Sequence, residues 1–121
     1  HRAWSLFLLD HDLRIPEVLA NVQREIETRK DVYGYDLLAW ALHKEHKDAE
    51  ARAAMIEARR LGTQDALLFY HEGMIDRALG EKRRARYFLT KALALNPQFH
   101  PTQPREIRAV LDSLDREGST Q

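Results

Sequence analysis

"GEKRRARYFLTKALALNP", residues 80–97, has a near-double earlier in the chain: "KDAEARAAMIEARRLG", residues 47–62. At an offset of 34 residues, Ala51 falls on Ala85, Met55 on Leu89 and Ala58 on Ala92. The segments that precede them keep the same register, with Ala39 of "YDLLAWAL" falling on Gly73 of "FYHEGMID". Self-similarity at a period of this length is what a stacked helix pair leaves in a sequence. The matched positions are mostly small. One small residue midway along a first helix and another early in the second let the two axes approach. A third, late in the second helix, packs against the next pair.

The rest of the chain divides around this repeat. Apolar residues recur at spacings of three and four, and no segment alternates at period two for long. Residues from about Arg2 to His11 form a first helix. Pro16 sits at a first-turn position and opens a second, which runs to about Arg29. A third spans about Val32 to His46. Asp48 can N-cap the fourth, which ends before Gly62. Thr63 can cap the fifth, with Asp65 in its first turn, and Gly80 closes it. The sixth covers about Lys82 to Leu95 and stops at "NP". After the stiff connector "QFHPTQP", a last helix begins at Pro104 with Ile107, Val110, Leu111 and Leu114 on one stripe. The tail "REGST" is expected to fray. Short connections require neighbouring helices to run antiparallel.

Composition sets outer bounds. A chain of 121 residues can build one domain with a real core. Nineteen basic residues balance nineteen acidic ones, so no global field draws the chain to nucleic acid or to an anionic membrane. There is no Cys, which excludes disulfides and thiolate metal sites. The apolar runs are too short to span a bilayer. The start at His1, without Met or a signal-like segment, suggests a fragment of a longer polypeptide and leaves the compartment open.

These slots resemble the tetratricopeptide repeat family. Residues 66–97 fit best, with Phe69 in the usual tryptophan slot, Gly73 in the glycine slot and Gly80 at the turn. Ala85 and Ala92 fill the two alanine slots, and Pro97 is the closing proline. Residues 32–65 make a second copy, with Tyr35, Leu38, Ala39, Leu42, Ala51 and Ala58 in register and Thr63 replacing the closing proline. Residues 1–31 resemble a degenerate first copy, with Val18 and Glu25 in the alanine slots, and residues 101–117 a capping helix. The resemblance implies a single all-α domain over residues 1–121, a right-handed α-solenoid of antiparallel helix pairs with about seven helices. First helices would line a concave groove and second helices the convex back.

The resemblance further implies a protein–protein interaction module, within a larger bacterial protein, that binds a partner peptide or helix. Carried over position by position, the groove would comprise Tyr33, Asp36, Trp40, His43 and Lys44 from the second copy. The third copy would add Leu67, Tyr70, Met74 and Arg77, and the first copy, less securely, Trp4, Leu8 and His11. Trp40, Tyr70 and Met74 would act as apolar anchors, although Trp40 is equally compatible with a core position. His43, Lys44 and Arg77 would favour a partner with some negative charge. Trp4, Leu6, Phe7, Leu8 and Leu9 would expose an apolar edge, and Trp4 and Phe7 could drive homo-oligomerisation. A scaffold that packs against itself or against other domains of its parent is therefore the main alternative.

Other constellations point away from chemistry. "HKEH" and "HEG" lack the two-imidazole H-E-x-x-H spacing of a zinc protease, because position 75 is Ile. Surface or groove roles are expected for the six histidines, and neither a metal nor another cofactor. "EKRRAR" reads as a solvated convex face rather than a nucleic-acid site, being interleaved with Glu81 and offset by acids elsewhere. Glu72 and Asp76 lie one turn apart in slots that the family usually fills with apolar residues. They could act as an acid–base pair, yet no third group converges on them. Pairing with arginine (Arg59, Arg60, Arg83, Arg84 or Arg86) is the cheaper way to bury them, so no enzyme is expected.

Overall fold

The computed structural model describes residues 1–119, excepting the side chains of residues 118 and 119. Seven helices and no strand occur among the described residues. They fall into two compact units, divided after Thr63. Unit 1 holds α1 (Arg2–Asp10), α2 (Ile15–Glu25), α3 (Val32–Lys44) and α4 (Asp48–Arg59). Unit 2 holds α5 (Ala66–Ala78), α6 (Lys82–Leu95) and α7 (Gln103–Ser119). Antiparallel helix pairs, α3 with α4 and α5 with α6, are the most extensive packing within each unit. The arrangement is all-helical and solenoid-like in its pairing.

Several helix ends differ from the sequence expectation, each for a local reason. α2 stops at Glu25 rather than near Arg29. Beyond it the chain continues as a hydrogen-bonded turn, in which the Thr28 hydroxyl and the amides of Thr28 and Arg29 all donate to the Glu25 carbonyl. α3 ends at Lys44, before His46, which adopts a left-handed backbone with φ of 61°. Asp48 is not the cap of α4. It is the first helical residue, and its carboxylate turns back to His43 Nδ1 at 2.5 Å.

The cap of α5 is Asp65, not Thr63. Its carboxylate accepts from the amides of Leu67 and Leu68 at 2.8 and 3.3 Å. A cap must sit two or three residues before the amides it serves, and Thr63 is too far upstream of Ala66. Asp65→Ala is expected to cost unit 2 about 1 kcal/mol in urea unfolding, whereas Thr63→Ala should be nearly silent. α6 keeps its expected bounds. α7 extends through Ser119, so the expected fraying of residues 116–120 is not seen in the part described, and Thr120 and Gln121 lie outside it.

The small residues of the repeat are where the helices meet. Ala39, Ala51 and Ala58 are fully buried in unit 1, as are Ala85 and Ala92 in unit 2. Gly73 is the tightest point. A Cβ built there would lie 2.5 Å from Cγ and Cδ2 of Leu89, itself fully buried on α6. Met55 and Leu9 centre the core of unit 1, while Leu68, Ile75, Leu89 and Ile107 centre that of unit 2. Of the α7 stripe, Ile107, Val110 and Leu114 are buried and Leu111 is half-buried.

Candidate functional site

The expected groove face of α3 is a continuous stripe, since Tyr33, Asp36, Trp40, His43 and Lys44 recur at helical spacing. Within unit 1, the residues of α1 and the turn after it cover that stripe. Arg2 donates to the Asp36 carboxylate at 3.1 Å and to the Tyr33 carbonyl at 3.4 Å, with its guanidinium 4.7 Å from the centre of the Tyr33 ring. Trp40 Nε1 donates to Asp10 at 2.9 Å. Lys44 reaches Asp12 at 3.3 Å and lies 5.3 Å over the Trp40 ring. His43 stacks on Trp40 at 4.9 Å as well as meeting Asp48.

Unit 2 repeats the device with another aromatic residue. The Tyr70 hydroxyl donates to Glu106 of α7 at 2.8 Å, and its ring lies 5.8 Å from that of Phe99. Leu67 and Met74 are half-buried and Arg77 is exposed.

These contacts correct the reading of the anchors. Trp40 is 2% exposed and Tyr70 3%, and Asp36 is fully buried. A side chain so enclosed cannot offer area to a partner; its polar tip is satisfied inside its own unit. His43 and Lys44 face Asp48 and Asp12, which removes them as free orienting cations. Among the expected groove residues of α3 and α5, Tyr33 and Arg77 are the two that stand exposed. Sequence periodicity placed these residues on one face of α3 and could not show what lies on it. The partners it missed, Asp10 and Glu106, carry a faint signal as acids near the end of one helix and the start of another.

The aromatic edge is real but narrower than expected. Trp4 is 58% and Phe7 46% exposed, their rings stacked at 5.4 Å, with exposed His11 a further 4.4 Å along the ladder. Leu8 and Leu9 are buried instead and Leu6 is half-buried, because α1 turns that side towards the core.

Beside Trp4, unit 1 opens into a cavity of about 290 Å³ between the start of α1, the end of α2 and the start of α3. Val22, Ile26 and Leu37 provide apolar lining; Arg2, Glu25, Arg29 and Asp31 stand around it. No feature of the sequence announced it. Ile26, in the turn that follows α2, forms part of its lining.

Glu72 and Asp76 both meet Arg84, at 3.6 and 3.7 Å, across the α5–α6 pair. They are 2% and 1% exposed. Neither borders the cavity of unit 1 or the shallow recess of unit 2 around Phe99 and His100. Their geometry is that of a shared guanidinium inside a helix pair. The basic run is likewise engaged: Arg86 meets Asp115 at 2.8 Å and Lys82 meets Glu117 at 3.2 Å, both on α7. His71 is fully buried rather than on a surface, and His100 Nδ1 accepts the amides of Thr102 and Gln103 at the start of α7.

Among the described residues, no group of three or more His, Cys, Asp or Glu side chains could hold a metal ion. No described helix is long and apolar enough to cross a membrane. No protein-family model, curated protein or solved structure matches the chain.

Proposed function

We propose that this chain is a protein-interaction module, tetratricopeptide-like in its repeat, that docks a segment of a partner protein on the α1 side of unit 1. The supporting observation is the exposed Trp4–Phe7 stack beside an apolar opening. Two large rings already held against each other lose little freedom on binding, and aromatic residues dominate the energetic centres of interfaces. Buried charges elsewhere serve the fold: Asp36 faces Arg2, and Glu72 and Asp76 face Arg84. The repeat register and its small-residue slots support the family assignment that underlies this reading.

Affinity capture after cross-linking, with the wild-type chain and a Trp4→Ser/Phe7→Ser variant as baits, tests the proposal. Both rings are exposed, so the variant should keep its helical content and melting temperature. Its affinity for a specific partner should fall at least tenfold, about 1.4 kcal/mol or more. Equal recovery by both baits rules the α1 surface out. The same stack also favours a second reading, association with another copy of this chain. Sedimentation equilibrium separates the two, since self-association gives a mass that rises with concentration and returns to that of the monomer in the variant.

A further inference from the structure

We infer that the cavity of unit 1 receives an apolar side chain of a partner segment that carries Lys or Arg beside it. This inference rests on the interaction module proposed above and specifies its partner. At about 290 Å³ the cavity is just below the usual range of small-molecule sites, roughly 300–1,000 Å³, and suits a single large side chain. Buried Val22 and Leu37, with half-buried Ile26, give such a side chain an apolar lining.

Charge selects its neighbour. Both arginines at the cavity are already engaged: Arg2 holds Asp36 at 3.1 Å, and Arg29 stands 3.9 Å from Asp31. Glu25 has no ion-pair partner among the described residues, although it borders the same opening. The exposed rings of Trp4 and Phe7 add π faces, which attract cations. A partner carboxylate would meet Glu25 with no uncommitted arginine to receive it. A partner cation would find both an acid and an aromatic face. The acidic preference expected from His43 and Lys44 is thus replaced by a basic one at a different surface.

A displayed library of random peptides, selected on the full chain, tests this directly. The selected peptides should share an apolar residue next to Lys or Arg. Measured by fluorescence anisotropy, their binding should weaken roughly three- to tenfold in Glu25→Gln, with a smaller loss at high salt. Ser5→Phe, which grows a ring into the cavity from α1, should abolish binding with the helical signal and melting temperature unchanged. If that variant proves unstable, Asn21→Trp at the exposed rim takes its place.

Selection of acidic peptides overturns the inference. So do peptides that ignore both cavity-filling variants yet are lost in Trp4→Ser/Phe7→Ser, a result that leaves the docking proposal standing. A wild-type chain that selects nothing removes both.

Discussion

Trp40→Ala is expected to destabilise unit 1 by about 4 kcal/mol, the largest effect of any single truncation in that unit. The indole is 2% exposed, so its removal leaves a cavity that the surrounding helices can only partly close. It also leaves Asp10 without the Nε1–H donor that it meets at 2.9 Å. Trp40→Phe separates these contributions. It keeps most of the apolar volume and loses the hydrogen bond, and should cost about 1–2 kcal/mol. Urea unfolding followed by circular dichroism gives both numbers. A cost below about 1 kcal/mol for Trp40→Ala would mean that the indole is not enclosed, and would reinstate it as an outward anchor.

Gly73→Val should be nearly as damaging to unit 2, by about 3 kcal/mol. Alanine at this position gains up to about 1 kcal/mol in helix propensity, which masks part of the clash; valine forgoes most of that gain and adds two methyl groups. The obstacle is Leu89, whose Cγ and Cδ2 would stand 2.5 Å from the new Cβ, with its backbone nitrogen at 3.2 Å. Leu89 is fully buried and has nowhere to swing. The specific signature is coupling. Gly73→Ala in a Leu89→Ala background should cost at least about 1 kcal/mol less than in the wild type, because the space the methyl needs has been vacated. Additivity within about 0.5 kcal/mol would show that the helices do not approach closely at this point.

These two positions also mark where the sequence was informative and where it was not. The period that aligns Ala39 with Gly73 located the helix pairs, because small residues recur only where backbones approach. It placed both ends of α6 correctly and posed the right question about Glu72 and Asp76, both of which meet Arg84. Caps were harder. Asp65 and Thr63 are equally good capping residues by type, and only the position of the first helical amide separates them.

The enclosure of Trp40 and Tyr70 was hard to read for a deeper reason. A period of 3.6 residues says which side of a helix a residue occupies and nothing about the element laid over that side. The acids that close over them come from 30 and 36 residues away, Asp10 for Trp40 and Glu106 for Tyr70. The cavity was invisible for a related reason, since its lining comes from three helices that are separate in the sequence.

The placement of the two tryptophans, one open to solvent and one enclosed, gives unit 1 its own optical label. Both indoles belong to that unit, and the sequence after Thr63 contains none. Tryptophan fluorescence, excited selectively over Tyr70 and Tyr87 of unit 2, therefore follows the melting of unit 1, while far-ultraviolet circular dichroism follows every helix. A soluble quencher should reach Trp4 and spare Trp40 until unit 1 opens. Coincident fluorescence and dichroism curves would mean that the two units melt as one cooperative body. A fluorescence transition displaced from the dichroism curve would give the free-energy difference between them without altering a single residue.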